Sequence, residues 1–234
     1  YAVECELTPQ DSLYYASREA GETFSTRPFL MHTALYYAFG FFPSRFRTAE
    51  QSPSYVEHRG GSVLGSEAYV HPATAIDQPR YQTRRFAVKR DSFRTESTRG
   101  SGNFKETGHQ KMIEPGVSFR TFITTTDTET LDRVREAVPP HIRIGKKMTS
   151  TRVNTHVHEV PVHSGTFSLG HPISDLDYPE DTYELQGNIH WERMAPVDLL
   201  TEAELDGRHG TVEPHFGEGD TVSLPADAAF LARR

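Results

Sequence analysis

The chain has 234 residues, 35% hydrophobic and 11% aromatic, with a formal net charge of −7, which supplies one sizeable domain or a core with an appendage and excludes a disordered chain. A single cysteine, Cys5, excludes an intrachain disulfide and a cysteine-based zinc site. No apolar run approaches bilayer-spanning length and no signal-peptide core is visible, so the expectation is a cytoplasmic protein with no membrane partner.

Ala2 to Thr8 alternates Val3, Cys5 and Leu7 with Glu4 and Glu6, the period of a half-buried strand with the two glutamates on its outer face. The polar DSLYYASREAG segment that follows reads as a loop with one extended stretch. Thr26 before Pro28 opens a helix through about Phe39, because proline suits a first turn and Gly40 and Pro43 end it. Its run LMHTALYYAFGF is apolar nearly all round, so the helix is expected between layers and His32 reads as a satisfied core histidine. Ser44 to Ala75 is rich in Ser, Pro and Gly and reads as a long excursion packed on the core or on a partner.

Arg80 to Arg94 (RYQTRRFAVKRDSFR) reads as a strand with Tyr81, Phe86, Val88 and Phe93 set among basic residues. A Gly-rich tip follows, then Val117 to Thr124 as a second strand, and together they predict a long basic β-hairpin. The plain alternative is an exposed hairpin whose arginines keep its edge soluble. Asp127 N-caps a helix through Val138, with Leu131, Val134 and Val138 on one face and Pro139-Pro140 as the stop. Thr151 to Val162 alternates Val153, Thr155 and Val157 as a strand. The order strand, helix, strand, strand, helix, strand is the ferredoxin-like split βαβ pattern. The expected fold class is therefore α+β. A ferredoxin-like core covers residues 1–165, with a hairpin insertion around 78–124, and a small acidic, β-rich extension covers 166–234. In the extension, Tyr183 to Trp191 reads as a strand, Val197 to Leu205 as a short helix and Thr221 to Leu224 as another strand.

Charge is unevenly spread. Gln78 to Arg120 holds ten Lys or Arg against four acidic residues, whereas Ser174 to Asp220 holds thirteen acidic against two basic. The local field decides phosphate binding, so the basic middle qualifies as an electrostatic footprint despite the net charge. Arginine outnumbers lysine twenty to five, which suits bidentate phosphate contacts, although a high-GC or salt-adapted genome gives the same bias.

The most informative stretch is HIRIGKKMTSTRVN, His141 to Asn154, which sets His141, Arg143, Lys146, Lys147 and Arg152 around Gly145. A residue without Cβ lets backbone approach a ligand, and the flanking cations supply charge to an anion held there. A glycine turn with solvated lysines explains the same spacing. Tyr14, Tyr15, Ser17 and Arg18 offer planar, hydroxyl and guanidinium groups to single-stranded RNA, and Arg80, Arg84, Arg85, Lys89 and Arg90 offer phosphate contacts along the hairpin.

His156 and His158 share a strand face, with His163, Glu159 and Asp175 near in sequence, but twelve scattered histidines make a coincidental pair the simpler reading, so no metal and no cofactor are expected. There is no GxSxG elbow, P-loop, HExxH or dinucleotide fingerprint. A metal-independent ribonuclease needs only a set such as Tyr14, Tyr15, His141 and Lys146, so that chemistry stays open beside a binding role without catalytic residues.

LYYASREAG (Leu13 to Gly21), TRPFLMHTALYYAFG (Thr26 to Gly40) and PPHIRIGKKMTSTRV (Pro139 to Val153), in this order, resemble the Cas-five-type backbone subunit of the type I-D CRISPR interference complex (Cascade). NFKETGHQKMIEPGVSFRTF (Asn103 to Phe122) is a weaker echo, and residues after about Gly165 carry none. The resemblance implies an RRM-like fold of the repeat-associated (RAMP) class with a β-hairpin thumb. It further implies a non-catalytic antiviral subunit that binds the crRNA 5′ handle and caps the backbone subunits. Contacts to the large subunit and to target DNA near the PAM follow from the same resemblance. Relatives in another subtype cleave RNA, which keeps an endoribonuclease that processes CRISPR repeat RNA as the alternative.

Overall fold

The computed structural model describes residues 1–42, 64, 67–88, 106–217 and 219–230, with backbone alone at 86–88 and 106–107. Most of the excursion read over Ser44 to Ala75, the hairpin residues Lys89 and Arg90, and most of the Gly-rich tip lie outside these residues.

The fold is mostly antiparallel sheet with few helices. Its central strand β1 (Ala2–Pro9) pairs on one side with β11 (Thr149–His158) and on the other with β9 (Phe119–Thr125), both antiparallel. β10 (His141–Ile144) extends the sheet beyond β11, while β5 (Ala68–Val70) and β6 (Ala73–Ala75) both pair with β9, and β4 (Phe29–Leu30) closes the far edge against β6. Helices α1 (His32–Ala38) and α2 (Thr128–Ala137) complete this half. The Asp127 carboxylate caps α2 by accepting from Thr130 N–H at 2.7 Å, as the sequence signals.

α1 starts at His32, later than Thr26. Phe29 and Leu30 are held extended by pairing with Thr74 and Ala73, and this tertiary pairing overrides the proline start signal. His32 is a contacted core histidine, with Nε2 2.9 Å from Asp177 Oδ2.

The period-two pattern of β1 buries both of its faces. Val3, Cys5 and Leu7 join Leu35, Leu131 and Val134 in the main core. On the opposite face Ala2 packs with Phe122, Val212, Val222 and Leu224. The expectation of an outward Glu4 is thus corrected: the C-terminal part of the chain covers that face, and Glu4 is fully buried.

The covering layer is a second sheet built on the long strand β15 (Leu199–Val212). β12 (Val162–Ser168) and β13 (Ile173–Ser174) flank one edge of β15, and β14 (Glu184–Glu192) and β16 (Val222–Pro225) flank the other. The helix read over Val197 to Leu205 is therefore a strand. Ala203 and Leu205 face a core of Phe167, Ile173, Tyr178 and Tyr183 while Glu202, Glu204 and Asp206 face out, and ladder bonds on both edges hold the extended form.

A third, four-stranded sheet has the order β2 (Arg18–Ala20), β3 (Thr23–Ser25), β8 (Glu106–Ile113), β7 (Tyr81–Val88). The basic hairpin is thus real in its stem, but its return strand is β8. The segment read as the return strand, Val117 to Thr124, supplies β9 of the central sheet instead, because Phe119 and Ile123 are needed in the main core. No helix among the described residues is long and apolar enough to cross a membrane.

Candidate functional site

β10 and β11 form a hairpin whose last pair is Ile144–Thr149, leaving residues 145 to 148 as the turn. The turn is clamped to the segment that precedes β2. Lys146 N–H donates to Tyr14 O at 2.9 Å, Thr149 Oγ1 donates to Ser12 O at 3.0 Å, and Met148 N–H closes the turn on Gly145 O at 3.0 Å. Gly145 has φ +79°, and a Cβ there would stand 3.0 Å from both Tyr14 O and Leu13 Cδ1. The glycine serves left-handed backbone and a close backbone approach, here to the protein's own Tyr14.

The two stretches singled out in the sequence, Tyr14 to Arg18 and Arg143 to Lys147, are thereby brought together. Tyr14 is 6% exposed, and Lys147 Nζ lies 5.9 Å from the centre of its ring and 3.1 Å from Met112 Sδ. Tyr15 is half-buried; its backbone N–H and carbonyl both bond Thr26 Oγ1 at 3.0 Å. Burial pushes the Tyr15 hydroxyl up to about 12, against a backbone hydrogen bond at Gly145. Ser17 is buried, its N–H donating to Ser25 O and its carbonyl accepting from Ala195 N–H. Arg18 is exposed on the edge strand β2.

The strand register divides the remaining cations between two faces of the third sheet. Arg84 stands opposite Gln110, whose side chain bonds the Tyr14 hydroxyl, and Gln82 of the same face donates through Nε2 to Ser12 Oγ. That face therefore leads to the Gly145 turn. The other face carries the row Thr83, Lys111, Ser25 and Arg18, with Lys111 Nζ 4.2 Å from the Tyr81 ring centre, and Arg85 opposite His109. Arg80 lies at the foot of β7, its Nε 3.7 Å from Glu114 Oε2. Beyond the turn, Arg143 and Arg152 are exposed along β10 and β11, and Arg143 NH1 donates to Met148 O at 3.2 Å.

His141 is also exposed, at the far end of β10, about 13 Å along the strand from Gly145 at roughly 3.3 Å per residue. It does not join Tyr15 and Lys146 in one constellation. His156 and His158 do share a face, their ring centres 4.7 Å apart, but His158 Nε2 lies 2.7 Å from Glu4 Oε2 and His156 stacks on His215 with ring centres 3.9 Å apart. His163 belongs to the second sheet beside His209. Among the described residues no group of three His, Cys, Asp or Glu side chains is arranged to hold a metal ion.

Sequence reasoning passed over three contributors to this surface: Gln110, Met112 and Met148. The alternation of β8 carries the first two, but in the sequence the Gly-rich tip runs straight to the strand at Val117, with no element assigned to Gln110 and Met112. The exposed Met148 has no signal beyond its place in a basic turn.

A family model described as type I-D CRISPR-associated protein Cas5/Csc1 matches residues 1–233. No curated protein matches the chain. Among solved structures, the chain is similar to a chain of the type III-B Cmr-beta bound to cognate target RNA and AMPPnP (state 1, cryo-EM), at 8% identity over 87% of this chain and 86% of that one, with a TM-score of 0.49. For the type III-B Cmr-beta bound to cognate target RNA the values are 9%, 87%, 86% and 0.47.

Proposed function

The chain belongs to the type I-D CRISPR-associated Cas5/Csc1 family, whose members are CRISPR effector subunits, and from that premise we propose that it is the non-catalytic subunit that binds the 5′ handle of the guide RNA. In this reading it caps the filament of backbone subunits and contacts the large subunit near the PAM duplex. Those last contacts rest on the family alone.

The observation that carries handle binding is the docking of the Gly145 turn on the Tyr14–Tyr15 segment, beside the Arg84 face of the β7–β8 ribbon. Single-stranded RNA is held by cations along its backbone and by flat or apolar surfaces against its bases. Lys146, Lys147, Arg143 and Arg84 provide cations around one rigid turn. Tyr14 and Ser17 are buried, so their part is to fix that turn and the start of β2, leaving the cations to meet phosphate. Phosphate contacts position a strand without reading its sequence.

We read the central sheet as the ferredoxin-like unit of this family. The strands β11, β1, β9 and β5 lie side by side with every neighbour antiparallel, α1 falls between β1 and β5, and α2 between β9 and β11. The stem β7–β8 is then the thumb. A non-catalytic role is supported by the separation of His141 from Tyr15 and by the raised pKa of Tyr15, which suits neither a base nor a nucleophile near neutral pH.

The test is incubation of the full chain with 5′-labelled repeat RNA in EDTA, run on native and denaturing gels. Intact RNA that shifts, less so as salt rises, is the expected result. A discrete cleavage product, abolished by Tyr15→Phe or His141→Gln, would replace this reading with the ribonuclease. Unchanged guide-RNA binding after Lys146→Glu with Lys147→Glu would remove the turn from the site.

A further inference from the structure

Met148 is the non-glycine residue with left-handed backbone among the described residues, at φ +54°, and it is also the most exposed of their large apolar side chains, at 57%. Left-handed backbone is ordinarily filled by Gly or Asn, because a Cβ crowds the following carbonyl. Two unfavourable choices therefore meet in one side chain: a strained backbone and an apolar group in water. The left-handed backbone at Met148 belongs to the turn, which its N–H closes on Gly145 O, but the turn does not call for a methionine there, and the exposed side chain serves no core. Strain that the surrounding structure over-determines is a mark of a functional position.

The surroundings name the partner. Cations flank Met148 along the chain: Lys146 and Lys147 precede it in the turn, and Arg143 NH1 donates to its backbone carbonyl. A protein surface that covered this methionine would have to bring carboxylates to match the cations. A polynucleotide matches both, with a flat base for the thioether and phosphates on either side for the cations. Lys147 Nζ is engaged 3.1 Å from Met112 Sδ beside the Tyr14 ring, whereas the neighbouring Met148 side chain is exposed.

We propose that Met148 is a base platform: one nucleobase of a bound single-stranded RNA stacks on its side chain while Arg143 and Lys146 take the flanking phosphates. This rests on the handle-binding reading above and adds to it a position where the protein senses a base rather than backbone.

The full chain is titrated into repeat-derived RNAs that carry 2-aminopurine, or an abasic site, at successive handle positions. Met148→Gly removes the side chain and relieves the backbone, so its fold is expected to survive, with a thermal melt as the check; Met148→Leu keeps an apolar platform. The expected pattern is one position where 2-aminopurine fluorescence changes on binding to the wild-type chain and where an abasic site weakens binding about ten-fold. Met148→Gly should bind intact RNA about ten-fold more weakly, lose that fluorescence change and be indifferent to the abasic site. Met148→Leu should restore most of the affinity. If Met148→Gly keeps wild-type affinity and the wild-type response to the abasic series, the platform is refuted while handle binding stands. If the wild-type chain shows no salt-sensitive binding to any of these RNAs, the handle reading falls and the platform with it.

Discussion

Glu4 Oε2 lies 2.7 Å from His158 Nε2, and the same carboxylate accepts from the backbone N–H groups of His215 at 2.8 Å and Phe216 at 3.2 Å. A fully buried carboxylate in the central strand thus holds down the chain that crosses the back of the first sheet. Glu4→Ala would leave an imidazole and two backbone donors without their acceptor. The expected cost is about 3 kcal/mol, which for a chain of this size lowers Tm by roughly 6–12 °C. Glu6→Ala is the comparison, since Glu6 accepts from Asn154 Nδ2 at the half-buried rim and should cost about 1 kcal/mol. Equal melting shifts for the two variants would show that the Glu4 network does not join the layers.

Acid should loosen the same layers before carboxylates titrate. Burial holds His71 well below the usual histidine range, with His171 and His32 adding repulsion. Burial takes His171 down to about 3, against its hydrogen bond to Pro72 O. His156 is lowered by burial and by its neighbours His215 and His158. These groups bind protons in the unfolded chain below about pH 6.5 and resist doing so in the folded one, so stability is complete above pH 6.5 and falls as pH drops toward the folded values. The fully buried His71 and His171 each contribute a slope of up to about 1.4 kcal/mol per pH unit inside that window, and the solvent-screened His156 contributes less. Neither ring nitrogen of His71 has a hydrogen-bond partner among the described residues. His71→Leu should therefore leave stability near neutral pH unchanged or higher and flatten the loss between pH 6.5 and 4.5. Denaturant midpoints that stay level over that range in the wild type would contradict the buried neutral histidines.

Much of this architecture is legible in the sequence where a local signal and its tertiary setting agree. The strand alternation of Ala2 to Thr8, the Asp127 cap and the Gly145 turn all fall where the residues place them. The failures share one cause, which is pairing that no local pattern reveals. Phe29 and Leu30 follow a helix-start signal yet pair with β6. TEAELDG allows a helical spacing yet lies between two ladders. Glu4 looks outward until the second sheet covers it. At the candidate site the cations and the glycine are legible, but the burial of Tyr14 is invisible in a polar segment.

Gly145 and Gly116 separate backbone strain from contact. Both have positive φ, +79° and +81°, but a Cβ at Gly116 meets nothing within 4 Å, while one at Gly145 presses on Tyr14 O and Leu13 Cδ1. Gly116→Ala should cost about 1 kcal/mol from left-handed backbone alone. Gly145→Ala adds a clash with a rigid carbonyl, so about 2 kcal/mol is expected, with the turn lifted from Tyr14. RNA affinity should drop for Gly145→Ala and hold for Gly116→Ala. Equal RNA affinity in the two would mean that the seating of the turn does not matter to binding.

The division of the third sheet into two faces makes the sharpest prediction about the interface, because it separates neighbours in sequence. Arg84 lies opposite Gln110 on the face that leads to Tyr14 and the Gly145 turn, whereas Arg85 lies opposite His109 on the face of Lys111 and Arg18. If the guide follows the turn, Arg84→Gln and Lys146→Gln should each reduce the slope of log K against log salt by about 0.7, the value for one phosphate contact to a single strand. Arg85→Gln should leave the slope unchanged although it removes the same charge from the same strand. A general electrostatic attraction to the basic ribbon would instead lower the slope equally for Arg84 and Arg85. Affinities at a single salt concentration do not distinguish these cases, since both lose a cation. The slopes do, because only a cation seated on a phosphate releases a counterion when RNA binds.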